Sequence, residues 1–273
     1  MKIDLHSHST VSDGTDSPSA LVRKMAAAGL DAFALTDHDA LMGLPEAREE
    51  AKRAGLELIS GAEISSEYGD QDDIHILALF VDEANASFNS SLAMRQDARK
   101  KRGQRMAEKI VEAGYPIDLD AIRADVGDGV WGRPHLARAL VRAGHASSMD
   151  DAFFHFLGND HPWFVPYEKW KAVEVVRAVR AAGGVTSIAH AVWYRGSEEL
   201  IRALAAEGLD AIEVHHPDHD PAEEARLARL ADELHLLRTA GSDFHGTPEG
   251  RKVPGGVFGD GPMLEALRAR ARR

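Results

Sequence analysis

Residues 26–39 read AAAGLDAFALTDHD, and the same order of parts returns in KRAGLELISGAE at 52–63, RAAGGVTSIAH at 180–190 and AAEGLDAIEVHHP at 205–217. Each copy runs from a helical end through a glycine into a short apolar strand that finishes in polar side chains. Gly29, Gly55, Gly183 and Gly208 stand where a helix can close on a left-handed residue. Ser17-Pro18 and Leu44-Pro45 read as helix starts, with proline in the first turn. Working outward from these units, strands are expected at 3–5, 32–36, 56–60, 74–80, 185–189, 210–214 and 236–240. Seven strands alternating with helices predict a parallel α/β arrangement.

The rhythm breaks between about 90 and 165, which reads as helices with Gly114 and Gly144 as stops. The expected organisation is therefore a barrel domain of residues 1–90 and 166–273, with 91–165 as a helical insertion beside the barrel mouth. The insertion's first helix contains RQDARKKRGQRMAEK (95–109), seven basic residues against two acidic. Such a run is most often a solvated helix face. The functional alternative is a basic rim that draws anionic substrate to an otherwise acidic protein.

The absence of cysteine among 273 residues excludes disulfides, thiolate ligands and a cysteine nucleophile. A formal charge of −12 argues against nucleic-acid binding over the whole surface. The first residues, MKIDLHSHST, are polar where a signal peptide needs an apolar core. No apolar run approaches the roughly 18 residues of a membrane span. A cytoplasmic protein with no membrane association and no obligate protein partner is expected.

Fourteen histidines are informative through their placement. The first strand ends in Asp4-Leu5-His6-Ser7-His8, where positions i and i+2 share a face, and Asp13 follows within a turn. The second ends in Thr36-Asp37-His38-Asp39, and the third runs into Glu63. Late strands end in Ala189-His190, Glu213-Val214-His215-His216 and Ser242-Asp243-Phe244-His245. In parallel α/β proteins, the carboxyl ends of strands are where active sites assemble. His75 is the exception, because it stands at the start of its strand. A lone histidine is most often an exposed or hydrogen-bonded core residue, and His145, His155, His161 and His235 are read that way. Recurrence at several strand ends, each time beside Asp or Glu, points instead to metal. Imidazole and carboxylate without sulfur suit Zn, Mn or Fe(II) better than Ca, and the candidates are too many for one ion. They fit two or three, with Glu63 able to bridge a pair.

DLHSHS, TDHD and SDFH, in this order, resemble the motifs of the PHP (polymerase and histidinol phosphatase) family, a branch of the amidohydrolase-like metal enzymes. The resemblance implies a distorted (β/α)7 barrel with a trinuclear site. One ion would take His6, His8, Glu63 and Asp243, a second Glu63, His75 and His190, and a third Asp13, His38 and His245. It implies divalent ions, Mn2+ first with Zn2+ or Fe2+ as alternatives. One departure is Ala191, where relatives often carry proline. Gly132-Arg133-Pro134-His135 is similar to the stand-alone members that remove the 3′-phosphate from 3′,5′-bisphosphonucleosides or act as 5′-3′ exoribonucleases on short RNA. Histidinol-phosphate phosphatases and C–N amidohydrolases resemble it less. Arg133 stands at a helix start, suited to binding an anion. His135 or His216 is the expected leaving-group acid, both also contacting substrate, with Tyr194 a further candidate contact.

Overall fold

The computed structural model describes residues 1–126, 131–247 and 251–271. Strands β1 (Ile3–Asp4), β2 (Ala32–Leu35), β3 (Glu57–Tyr68), β4 (Gln71–Leu79), β6 (Val185–Ile188), β7 (Ala211–His215) and β8 (Leu237–Ala240) form one curved sheet in that order, while β5 (Trp170–Lys171) pairs with the outer part of β3. The Leu5 N–H donates to the Ala240 carbonyl at 3.0 Å and the Asp243 N–H to the His6 carbonyl at 2.9 Å, so the first and last strands meet. At this seam a Cβ on Gly241 would lie 2.3 Å from the Cβ of His6, which excludes any side chain there. The result is a nearly closed, distorted α/β barrel.

The helices begin and end where the sequence indicates. Helix α1 (Pro18–Ala27) is capped by the Ser17 hydroxyl, which accepts the Ala20 N–H, and α2 (Leu44–Ala54) carries Pro45 in its first turn. Gly29, Gly55, Gly183 and Gly208 all have positive φ. Inward-facing Ile3, Leu5, Ala32, Ala34, Leu77 and Val185 pack with Leu264 and Leu267 of α10 (Gly261–Ala271), closing the end of the barrel where the parallel strands begin. Each fully buried Leu or Ile contributes about 1.5–3 kcal/mol. Polar side chains are thereby left to the opposite end.

The expectation of a wholly parallel sheet needs correction at β4. It pairs antiparallel with β3 (Ser65 opposite His75) and with β6 (Leu77 opposite Ser187). Strand β3 continues eight residues beyond the expected end at 60 to Tyr68, and a turn at Gly69-Asp70 leads directly into β4. So short a link cannot carry a parallel crossover. The reversal places the beginning of β4 at the barrel's open end, and His75 goes with it.

Beyond β4 come α3 (Ala86–Glu112), α4 (Leu119–Val126), α5 (Arg133–Arg142), α6 (Met149–Ala152) and a π-helical turn at Phe153–Leu157. Met106, Ile110, Trp131, Leu136, Leu140 and Leu157 form an apolar cluster of their own. Helices α7 (Ala172–Ala181), α8 (Ser197–Ala206) and α9 (Pro221–Glu233) then cover the last strands. Among the described residues no helix is long and apolar enough to cross a membrane.

Candidate metal centre and its anion-facing wall

The Glu63 carboxylate lies at the middle of the open end. Its Oε2 is 3.3 Å from His6 Nε2, 3.2 Å from His8 Nε2 and 3.2 Å from His38 Nδ1. Its Oε1 is 2.9 Å from both His75 Nδ1 and His190 Nε2. Asp243 Oδ1 approaches His6 Nε2 and His8 Nε2 at 3.4 Å each. Asp13 reaches His38 Nε2 at 3.5 Å and His245 Nε2 at 3.4 Å. His190 and Asp243 hold φ of 30° and 50°, left-handed backbone that Asp and His tolerate better than most side chains.

These separations suit a cation better than they suit hydrogen bonds. His6 Nε2, His8 Nε2 and His38 Nδ1 are buried without any hydrogen-bond partner. Donors each about 2.1 Å from one ion stand roughly 3.0–3.4 Å apart along the edges of an octahedron or tetrahedron. That is the spacing among His6, His8, Glu63 and Asp243. The groups His6/His8/Glu63, His38/Glu63/His75 and His8/Asp13/His38/His245 each bring ligand atoms within 4.8 Å of one another. The residues therefore fit divalent ions, and all nine ligand positions indicated by the sequence lie in one connected cluster.

The charges within the cluster are set by competition. Burial pushes the Glu63 carboxyl up, but His38, His75 and His6 outweigh it and hold it well below the usual range. Asp13 and Asp243 follow the same pattern against their own histidines. Burial favours neutral imidazole at His8, yet Asp243 and Glu63 raise it to about 10. At His190 burial prevails and the imidazole falls to about 4.

A surrounding layer orients the rings. Glu213 Oε1 lies 3.0 Å from His6 Nδ1 and leaves Nε2 pointing inward, while Oε2 accepts the His190 N–H at 2.8 Å. Such carboxylate–imidazole pairs fix the tautomer of a metal-binding histidine. Asp37 accepts from the Ser9 N–H and from the Ser9 and Ser12 hydroxyls. The Tyr194 hydroxyl, expected at the substrate, accepts the His75 N–H at 2.9 Å and lies 3.1 Å from His190 Nδ1, behind the cluster.

The cluster opens into a cleft of about 710 Å3. Arg133 lies on its wall with Nη2 2.5 Å from Asp73 and Nη1 3.0 Å from Asn159. Arg99, bonded to Asp39 and Ser65, lies there too, with Arg102, Arg138, Arg251 and Lys252. Arg99 and Arg102 come from the basic run of α3, so part of that run faces the cleft. The other two candidates are not among the side chains that line it. His135 is buried and its Nδ1 accepts the Gly132 N–H at 3.0 Å, capping α5. His216 lies deeper, its unpartnered Nε2 3.5 Å from Asp243 Oδ2 and grouped with His6 and Asp243 as a set able to hold an ion. The sequence reading did not assign a role to Glu213; its position two residues before the His215-His216 pair, at a strand end, was the available signal.

A family profile described as PHP domain matches residues 4–125. Over 248 residues the chain is 36% identical to a 5′-3′ exoribonuclease of Haemophilus influenzae, covering 89% of this chain and 90% of that one. Over 259 residues it is 33% identical to a 3′,5′-nucleoside bisphosphate phosphatase of Chromobacterium violaceum, covering 93% of this chain and 90% of that one. A crystal structure from Bifidobacterium adolescentis, described as that of a metal-dependent phosphoesterase, superposes with a TM-score of 0.91 at 34% identity and covers 98% of this chain and 96% of its own. Likeness at this level, running nearly the full length of both partners and joined to a strand-end cluster whose buried imidazoles await a cation, places the chain in the PHP family of metal-dependent phosphoesterases.

Proposed function

We propose that the enzyme removes the 3′-phosphate from 3′,5′-bisphosphonucleosides, leaving the 5′-monophosphate. The observation that carries this reading is the pairing of two opposite sites in one cleft. A carboxylate–imidazole floor suits cations, and a wall of guanidinium groups suits anions, in a protein of net charge −12. A substrate with a scissile phosphate and a second fixed phosphate uses both.

His6, His8, Glu63 and Asp243 would hold one divalent ion, Glu63, His75 and His190 a second, and Asp13, His38 and His245 a third, with Mn2+ the first choice. Bound there, such ions supply Lewis-acid charge and a water acidic enough to attack phosphorus near neutral pH. Residues 91–165, taken as an insertion beside the barrel of residues 1–90 and 166–273, contribute Arg99, Arg102 and Arg133 to the wall. Asp73 holds the Arg133 fork in place for a phosphate oxygen. Neither candidate acid lines the cleft, and each has its Nδ1 accepting a backbone N–H, from Asp218 at His216 and from Gly132 at His135; His216 is retained as the acid because its Nε2 lies beside Asp243.

A second reading, 5′-3′ exoribonuclease action on short RNA, is favoured by the 36% identity to the exoribonuclease of Haemophilus influenzae. The test is phosphate and nucleotide release with added Mn2+ from 3′,5′-bisphosphoadenosine and from 5′-phosphorylated RNAs of increasing length. The first reading expects the bisphosphonucleoside to be the best substrate. Rates maintained as the RNA lengthens, with little turnover of the bisphosphonucleoside, would replace it with the second.

A further inference from the structure

Of the large apolar side chains exposed among the described residues, Trp193 alone lines the cleft, at 52% exposure. Phe154 and Phe258 are also exposed, but they lie outside the lining. The indole is held from below. It stacks on the His190 imidazole with ring centroids 4.1 Å apart and an interplanar angle of 29°, and it meets His216 edge-on at 5.9 Å. A single helical turn, Ala191–Trp193, follows His190, whose carbonyl accepts the Trp193 N–H at 3.1 Å. Lys252 Nζ stands 5.1 Å over the ring, paired with Asp218 and Asp243. An indole is a large apolar surface to leave in water, and Trp131 and Trp170 are buried in the usual way. Trp193 is therefore fixed in place with about half its surface unused.

We propose that Trp193 is the platform on which the base of the substrate nucleoside stacks, and that it gives the enzyme a preference for purines. This rests on the reading of the floor as the place of the scissile phosphate. Because Trp193 packs directly on His190, its exposed surface begins one ring away from Glu63. A nucleoside whose phosphate sits on the floor has its base close at hand. The arginine wall reads charge and is blind to the base, whereas the indole offers planar apolar surface that a phosphate cannot use. Every base has a π-face, so stacking tolerates all of them, and the larger ring system of adenine gains more than uracil. A sugar phosphate without a base would leave the indole in water.

The experiment compares kcat/KM for 3′,5′-bisphosphoadenosine, 3′,5′-bisphosphouridine and ribose 3,5-bisphosphate, which has no base, in Mn2+-loaded wild type, Trp193→Ala and Trp193→Phe. Wild type should prefer them in that order. Trp193→Ala should lose roughly 5- to 100-fold on the adenosine substrate, the scale of one stacked base, less on the uridine substrate and little on the base-free one. Trp193→Phe should keep most of the preference, since a smaller ring still offers a face. A selectivity ratio is indifferent to the fraction of protein that folds, so a poorly folding variant still reports. Trp193 also supports His190, and a purely structural role would lower all three rates equally. That result, or an adenine preference that survives in Trp193→Ala, or a wild type indifferent to the base, would overturn the assignment. The Kd values of 5′-AMP and ribose 5-phosphate, measured by calorimetry on the same loaded proteins, provide an arm independent of turnover. Tighter binding of 5′-AMP, lost in Trp193→Ala, supports the platform even if the bisphosphates are not hydrolysed and the reaction assigned above fails. Equal Kd for 5′-AMP in wild type and Trp193→Ala removes it.

Discussion

The floor and the wall of the cleft are both dense in ionisable groups, yet they are built in opposite ways. On the floor, imidazole and carboxylate atoms from separate strand ends face one another at 2.9–3.5 Å, and His6, His8 and His38 each keep a buried nitrogen without a partner. On the wall, Arg99 and Arg133 are bonded to Asp39 and Asp73 before any ligand arrives. The floor therefore offers nitrogens that cations could engage, whereas those two wall residues already hold carboxylate partners. Density of charge alone does not mark a metal site. Unsatisfied donors converging on a shared point do.

The comparison is broken most severely at its centre. Glu63 touches five histidines, so Glu63→Gln should reduce phosphate release by roughly a thousandfold, the scale of removing a preorganised charge, and lower bound metal measured by elemental analysis. Full metal content with unchanged turnover would deny the floor its role. Glu213 stands one step back. Glu213→Gln should weaken metal affinity by roughly 10- to 100-fold through loss of His6 orientation, read by competitive chelation.

Stability separates the two regions further. His6 and His8 are protonated more readily in the fold than in the unfolded chain, so their contribution is complete below the ordinary histidine value of about 6.5 and fades as pH rises, toward about 10 for His8. His38 and His190 are held neutral, so theirs is complete above 6.5 and fades as pH falls, toward about 4 for His190. Protein stripped of ions should have its highest Tm near pH 6.5. Mn2+ at a hundred times its Kd should raise Tm by roughly 5–10 °C and move the maximum upward, since ligation requires deprotonated imidazole. A Tm maximum unmoved by Mn2+ in calorimetric scans would mean that the floor does not take the ion. The smallest effect is expected at the closed end of the barrel, where Arg48 pairs with Glu83. Arg48→Ala should leave turnover unchanged and shift stability by about 0.5 kcal/mol or less in denaturant titration, the usual fate of a partly exposed ion pair.

Much of this arrangement is legible from spacing. His6 and His8 two apart at a strand end, and polar tails repeated after Leu35, Ile188 and Val214, locate the open end of a barrel without coordinates. The reversal of β4 is hidden because Ser65, Ser66 and Glu67, next to an acidic turn, read as a loop, although they belong to a strand that leaves the barrel to edge the cleft. The partners of Tyr194 are equally hidden, because only the packing shows that its hydroxyl meets the His75 N–H and His190 Nδ1. Arg102 is one basic residue in a run of seven, and only three-dimensional packing reveals that its neighbours leave it a free donor.

The reversed strand also bears on how the molecule is assembled in time. Glu63 and His75 sit on one hairpin whose turn is Gly69-Asp70, so only twelve positions of chain separate them. His6 and Asp243 belong to opposite ends of the chain and meet only when the seam between β1 and β8 is drawn shut. Chain entropy makes the first encounter fast and the second late. Chain entropy therefore predicts that part of the metal-binding site forms before the barrel closes, and an ion captured by that hairpin would favour the closure that completes its coordination.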